Sequence, residues 1–316
     1  MIRPKEKWSV SVIIPAFNEE EHIESTLKSL QNSEYSKDLL EIIVVDNNST
    51  DRTAAIANKL ADSVLTLDHG NVGAVRNLGA EASSSDIFVF LDADCVVDSG
   101  WISRGVSILE TDSKLTCGGP CKTRKDANWV ERLWLLENPK HPRIQPDLLG
   151  SCIFVWSEIF ISVGGFNEDM TSGEDSDFSQ RLRCSGQKVK IFPELSVVHL
   201  GNPSTISSFI KRQVWHSENY IKFIGASVRD YTFWITVIFL ISIICSLTSF
   251  INESYVVSGY AALMTVALAS LLSAKRMLLT KYIPKRLVDL AGIILLDYTY
   301  LLGRSTGIIK SLNPFK

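Results

Sequence analysis

The stretch FLDADCVV, residues 90–97, ends a hydrophobic run with two carboxylates, Asp92 and Asp94. On an extended chain, side chains two residues apart lie on the same side. Converging carboxylates repel each other, and a hard divalent ion with oxygen ligands relieves the repulsion. Spacing alone favours the plainer reading, a strand end tipped with solvated aspartates. A second acidic group lies in GEDSDFSQRL, residues 173–182, where Glu174, Asp175 and Asp177 crowd the start of a helix continuing through Phe178 and Leu182. Acids at a helix N-terminus gain roughly 0.3–1 kcal/mol each from the dipole, so a structural role stands beside a chemical one. Glu174 and Asp177 are three residues apart with Arg181 and Arg183 beyond, which predicts helix-surface ion pairs. Asp175 falls off that phase.

These acids need elements to place them. Short β-branched or apolar runs at 10–14, 42–45, 64–67 and 87–91 alternate with helical patterns at 23–30, 54–60 and 74–82. Buried strands alternating with helices predict an α/β domain with a mainly parallel sheet. In such sheets ligands bind beyond the carboxyl ends of the strands. The polar clusters fall there: Asn18-Glu19, Asp46-Asn47-Asn48 and Asp92–Asp94. Their convergence predicts a ligand crevice without naming the ligand.

Net charge is −3, so no global basic field points to nucleic acid. The six cysteines are scattered, and C-G-G-P-C (117–121) lacks the second ligand pair of a zinc site, so free thiols are expected. The N-terminal stretch has no apolar run of signal-peptide length, and the first half of the chain is expected to stay in the cytoplasm. Hydrophobicity concentrates late. Residues 233–251 and 255–274 carry no charge and match the roughly 20 residues that cross a ~30 Å hydrocarbon layer as helix. Two spans joined by Asn252-Glu253-Ser254 predict a membrane hairpin. The basic residues after it (Lys275, Arg276, Lys281, Lys285, Arg286) predict that both its ends face the cytoplasm. Residues 287–303 form a third apolar run carrying Asp289 and Asp297, expected to enter the membrane partly rather than to span it. Between 206 and 232 apolar residues (Ile206, Phe209, Ile210, Val214, Tyr220, Phe223) interleave with Lys211, Arg212 and Lys222, as in an amphipathic helix at a membrane surface.

Six stretches in order, VSVIIPAFNEE (10–20), VVDNNSTDRT (44–53), GNVGAVRNLGA (70–80), FLDADCVV (90–97), GGFNE (164–168) and GEDSDFSQRL (173–182), resemble the inverting family-2 glycosyltransferases, nucleotide-sugar-dependent enzymes with the Rossmann-like GT-A fold. The resemblance implies a catalytic domain over 1–205, an interfacial helix over 206–232 and a membrane region over 233–316. It implies that Pro15, Ala16, Phe17 and Glu19 line the nucleotide base and that Asp46 contacts that base, often uracil. Arg76 would lie near the diphosphate, with Asp92 and Ala93 towards the ribose. Asp94 would hold Mg2+ or Mn2+ bound to the diphosphate. His199 would add a metal or phosphate contact, although a hydrogen-bonded histidine at a strand end remains open. Asp175 would be the general base, with Glu174, Arg212 and Trp215 on the acceptor side. The chemistry asks for this division: charge grows on the leaving phosphate while the acceptor hydroxyl loses a proton on the opposite face.

The chain departs from the family pattern in two places. The polymer-making members' Q-x-x-R-W motif is replaced by Lys211-Arg212-Gln213-Val214-Trp215, which favours single-sugar transfer over processive synthesis. The proline-rich segment 137–146 matches no family motif and reads either as a substrate-covering loop or as a plain surface loop. The expected function is transfer from a nucleotide sugar, a UDP-sugar first, to a glycan or lipid-linked acceptor at the inner membrane, in cell-envelope glycan or glycolipid synthesis. A sugar-phosphate nucleotidyltransferase would want a glycine-rich basic first loop where this chain has Asn18-Glu19-Glu20. A non-catalytic scaffold would have no use for Asp92, Asp94 and Asp175 together.

Overall fold

The structure, a computed structural model, describes residues 7–138 and 146–312, the side chains of Asn219 and Ala226 excepted. The chain divides into two compact units, Met1–Arg124 with Ile144–Gly201, and Lys125–Arg143 with Asn202–Lys316. The segment 125–143 thus joins the C-terminal unit, although sequence order places it inside the catalytic domain. Most of the expected loop at 137–146 lies outside the described residues.

The first unit is built on a seven-stranded sheet. Strands β1 (Val10–Ala16), β2 (Leu40–Asp46), β3 (Ser63–Thr66) and β4 (Ile87–Phe90) alternate with helices α1 (Ile23–Gln31), α2 (Thr53–Leu60) and α3 (Val72–Glu81). Next come β5 (Cys95–Val96), α4 (Trp101–Leu109), β6 (Leu115–Gly118) and β7 (Cys121–Lys122). The sheet order is β3-β2-β1-β4-β8-β6-β9, with β8 (Ile153–Trp156) antiparallel to β4 and β6, and β9 (Lys188–Ile191) parallel to β6. The mainly parallel, mixed sheet is the one the sequence predicts. Central strands are buried on both faces, so Val12–Ile14 and Ile42–Val45 read as continuous apolar runs. Helices α6 (Ser157–Ser162) and α7 (Glu174–Cys184) follow β8. A small second sheet, β5-β10-β7, is formed around β10 (Val197–His199).

The second unit is helical: α5 (Trp129–Leu135), α8 (Ile206–Ser217), α9 (Asn219–Lys222), α10 (Ile224–Ser227), α11 (Tyr231–Ile251), α12 (Tyr255–Thr280) and α13 (Leu287–Ser311). A capping box closes the start of α8: Thr205 accepts from the Ser208 N–H, and the Ser208 hydroxyl accepts from the Thr205 N–H. The buried face of α8 is Phe209, Gln213, Val214 and Ser217, and it meets α13 along Gly303 and Gly307. A Cβ at Gly303 would stand 3.0 Å from the Ile210 carbonyl, and one at Gly307 2.6 Å from the Val214 carbonyl. The two backbones approach this closely only because those positions lack side chains.

Helices α11 and α12 form the expected hairpin, with mean hydropathies of 2.3 and 1.8 in windows only 17% and 33% buried. Such exposure is the reverse of a core helix in water. Ser246 and Ser258 clasp them: each hydroxyl donates to the other residue's carbonyl, at 3.1 and 2.9 Å. Helix α13 runs past the expected end at 303 to Ser311, and among the described residues only α11 and α12 are long and apolar enough to cross a membrane. Its Leu301 packs with Phe239, Ala269 and Leu272, and its Ile308 with Phe233 and Tyr220.

Candidate active site

Adjacent strands bring the donor-side residues together. The parallel register sets Pro15 beside Val45 and Ala16 beside Asp46, so the first loop and the Asp46 carboxylate leave the sheet side by side. Pro15 and Ala16 are mostly enclosed, whereas Phe17 is 56% exposed at the mouth of a cavity of about 510 Å³ lined also by Asn47, His69, Gly70, Asn71, Ala74 and Glu168. The Glu19 N–H donates to Thr53 Oγ1 (2.7 Å), which ties the loop to α2. Asp46 is 4% exposed; its Oδ2 accepts from the Ser49 N–H, and its Oδ1 is buried with no partner among the described residues. A buried carboxylate oxygen without a donor is costly.

Sequence reading missed the amide clamps around this cavity. Asn47 exchanges two 2.8 Å hydrogen bonds with the backbone of Gly70, joining the loops after β2 and β3. Asn77 receives the Phe166 N–H and donates to the Phe166 carbonyl and to Glu168 Oε1. Asn71 donates to the Glu168 carbonyl at 2.8 Å. The GGFNE stretch is thus fastened to α3, and asparagines in two family stretches were the available signal.

Asp92 and Asp94 do not sit on an extended strand. Strand β4 ends at Phe90 and the chain turns, the Cys95 N–H donating to the Asp92 carbonyl (3.1 Å). The extended geometry is therefore lost, and the two carboxylates take different partners. Ala93 between them is buried in the core, and its carbonyl accepts from the Thr26 hydroxyl (2.7 Å).

Asp94 meets His199. Strand β10 pairs antiparallel with β5, setting His199 opposite Cys95, and the Leu200 N–H donates to the Asp94 carbonyl (2.8 Å). His199 Nδ1 lies 3.3 Å from Asp94 Oδ2, both residues buried. Gly201 has no Cβ where one would stand 2.1 Å from Asp94 Oδ2, which keeps that oxygen's face clear. An oxygen and an imidazole nitrogen on a cleared face fit a divalent cation such as Mg2+ or Mn2+. Cys95 Sγ lies close enough to join this group, but burial and the two aspartates push its thiol well above its ordinary value. A protonated thiol is a poor ligand for a hard cation.

Asp92 meets Arg76, and this link reorganises the reading of the site. The buried Arg76 places Nη2 2.7 Å from Asp92 Oδ1 and Nη1 2.6 Å from Glu174 Oε1. Arg76 therefore bridges the β4 end to the start of α7, and its guanidinium, expected near the diphosphate, has both terminal nitrogens committed to carboxylates. Glu174 is 5% exposed and holds Arg76 rather than an arginine of its own helix. The expected surface pair forms between Asp177 and Arg181 (2.7 Å).

Asp175, next along α7, is half-buried and accepts from the Gly150 N–H at 3.1 Å. Burial, and then the adjacent Glu174 charge, raise its carboxyl to about 6, against the opposing Gly150 hydrogen bond and Arg76 charge. Gly150 also makes room for Arg76, since a Cβ there would lie 2.4 Å from Nη2. Arg212 and Trp215 lie on α8 in the other unit, Trp215 40% exposed.

A mixed sheet of this order is that of a GT-A-like α/β domain. The family model for Glycosyl transferase family 2 matches residues 11–162. Glycosyltransferase AglE of Haloferax volcanii is 28% identical over 221 residues, 65% of this chain and 70% of that protein. The beta-monoglucosyldiacylglycerol synthase of Synechocystis is 27% identical over 249 residues, 72% of this chain and 50% of that protein, so the chain spans about half the length of this relative. In fold it is similar to the Pyrobaculum calidifontis mannosyltransferase PcManGT, solved with GDP-Man and Mn2+: TM-score 0.63, 18% identity, covering 98% of this chain and 89% of that one. Residues 11–162 thus match a family whose members are inverting glycosyltransferases that draw on nucleotide-sugar donors.

Proposed function

We propose that this enzyme is anchored by its C-terminal hairpin to the inner membrane and transfers one sugar from a UDP-sugar to a lipid-linked acceptor, on the cytoplasmic side and with inversion. The observation that carries the reading is the division of acids: Asp94 with His199 on one side, Asp175 on the other, and Arg76 between them. Asp46 Oδ1, buried without a donor, is matched by an N–H of a uracil base. Phe17 at the cavity mouth offers a ring face to that base. Asp94 and His199 would hold Mg2+ or Mn2+, which would supply positive charge to the leaving diphosphate. Arg76 fixes Asp92 against the donor and Glu174 beneath the base. Asp175 accepts the proton of the attacking acceptor hydroxyl, a contribution of order 10²–10⁴ in rate. The exposed hairpin and the named lipid product of the Synechocystis relative support an acceptor borne on lipid.

The test is thermal unfolding with a panel of nucleotide sugars and either cation, followed by the anomeric configuration of the product. A UDP-sugar at about 100 times its Kd should stabilise the fold by about 2.7 kcal/mol. Stabilisation by a nucleoside triphosphate with a sugar phosphate, or retained configuration in the product, would overturn the reading.

A further inference from the structure

Phe17 and Asp46, which face the base in the reading above, leave two different strands, Phe17 just after β1 and Asp46 at the end of β2. Backbone pairing carries one step past them, the Asn47 N–H donating to the Ala16 carbonyl (2.8 Å). Beyond that point side chains hold the two loops together. Asn18 turns the chain directly after Phe17 with a φ of 54°, a left-handed conformation that asparagine tolerates better than most residues. Its Oδ1 accepts from the Thr50 N–H (2.8 Å) and from the Thr50 hydroxyl (3.3 Å) of the second loop. Ser49 works in both directions. Its Oγ accepts from the Asn18 N–H (2.9 Å), and its own N–H donates to Asp46 Oδ2 (3.2 Å). The Glu20 N–H donates to Asp51 Oδ2 (3.1 Å) and the Arg52 N–H to Glu20 Oε2 (3.2 Å), which extends the seam to the start of α2.

These bonds add little to the core. Asn18 and Thr50 are exposed and Ser49 is half-buried, so water takes over their hydrogen bonds when they are lost. What they fix is geometry. With Oδ2 held by Ser49, the Asp46 carboxylate does not turn without breaking a hydrogen bond, and its buried Oδ1 has no partner among the described residues. With Asn18 tied to Ser49 and Thr50, the preceding residue, Phe17, keeps its place on the cavity of about 510 Å³. Loops ordered before a ligand arrives remove the entropic cost of ordering them on binding.

We infer that Asn18 and Ser49 are positioning residues for the donor base. They join the two loops so that the Phe17 ring and Asp46 Oδ1 form one preassembled clamp, and they act without contacting the base. The inference rests on the base reading of this cavity and names the residues that hold its two contact groups in place.

The experiment measures binding of UDP and of pyrophosphate, each with Mn2+, to the full chain in detergent by calorimetry. The chains compared are the wild type, Asn18→Gly, Asn18→Asp and Ser49→Ala. Asn18→Gly keeps the left-handed turn and removes Oδ1, whereas Asn18→Asp keeps the acceptor. Asn18→Gly and Ser49→Ala should weaken UDP by about three- to tenfold, the scale of one side chain left to be ordered on binding. Pyrophosphate, which has no base, should bind as it does to the wild type, and Asn18→Asp should bind UDP nearly as the wild type does. On a Phe17→Ala background Asn18→Gly should weaken UDP little further, because the ring it positions is gone. Unchanged UDP affinity in Asn18→Gly and Ser49→Ala overturns the proposal, as does equal weakening of UDP and pyrophosphate, the mark of a general disturbance. Asn18→Asp binding UDP as weakly as Asn18→Gly overturns the role of Oδ1. A wild type that binds no UDP, or UDP binding left intact by both Phe17→Ala and Asp46→Asn, would overturn the base reading itself.

Discussion

Asp175 carries a pH signature that no exposed aspartate would show. With its carboxyl raised to about 6, the base is lost as pH falls, so kcat should drop with an acid limb near pH 6. Glu174→Gln removes the neighbouring charge that raises it and should move that limb to lower pH. An unmoved limb would assign the titration to another group. Asp175→Asn should retain donor binding, measured by calorimetry, while kcat falls by about 10²–10⁴. The sign for stability is opposite to that of a paired carboxylate. A carboxyl raised on folding favours the fold most when protonated, and that contribution is lost as pH rises through about 6. Asp175→Asn should therefore melt above the wild type at neutral pH, with the gap closing in acid. Asp94→Ala should abolish the cation dependence of donor binding, and binding that still responds to Mn2+ would move the cation elsewhere. At this scale the sequence displayed the acids but not their partners. Arg76 reaches Asp92 and Glu174 through the tertiary fold, and only the family resemblance suggested His199 near the metal. The different partners of Asp92 and Asp94 were illegible because they depend on where β4 stops.

Strands and helices of the first unit were legible because burial on both faces of a parallel sheet writes continuous apolar runs, and strand-end acids stop them. Helix α5 was not, since WVERLWL lies between strands in sequence yet belongs with the C-terminal helices. The amphipathic pattern at 206–232 was visible, but not that α8 would bury its face against α13. Gly303 and Gly307 decide that contact. A side chain at 307 would meet the Val214 carbonyl and Ser217, so Gly307→Leu should destabilise the helical unit by about 1–3 kcal/mol, read by denaturant unfolding of the detergent-solubilised chain. Wild-type stability in that variant would mean that the helices separate readily.

For the molecule as a whole, uneven hydrophobicity was the plainest signal in the sequence, and the structure leaves that apolar surface on the outside of a hairpin. Ile241, 59% exposed at the middle of α11, is the place to test it. Ile241→Arg should weaken partitioning into vesicles by about 2.5–3.5 kcal/mol, measured by flotation, and unchanged flotation would argue against insertion. The reciprocal Ser246–Ser258 clasp bears on how the chain is made. On the membrane reading proposed above, serine hydroxyls and carbonyls that satisfy each other between two apolar helices would let the pair leave water as one preassembled object. The membrane segment would then be inserted in a single event, with the registry of its helices settled before lipid surrounds them.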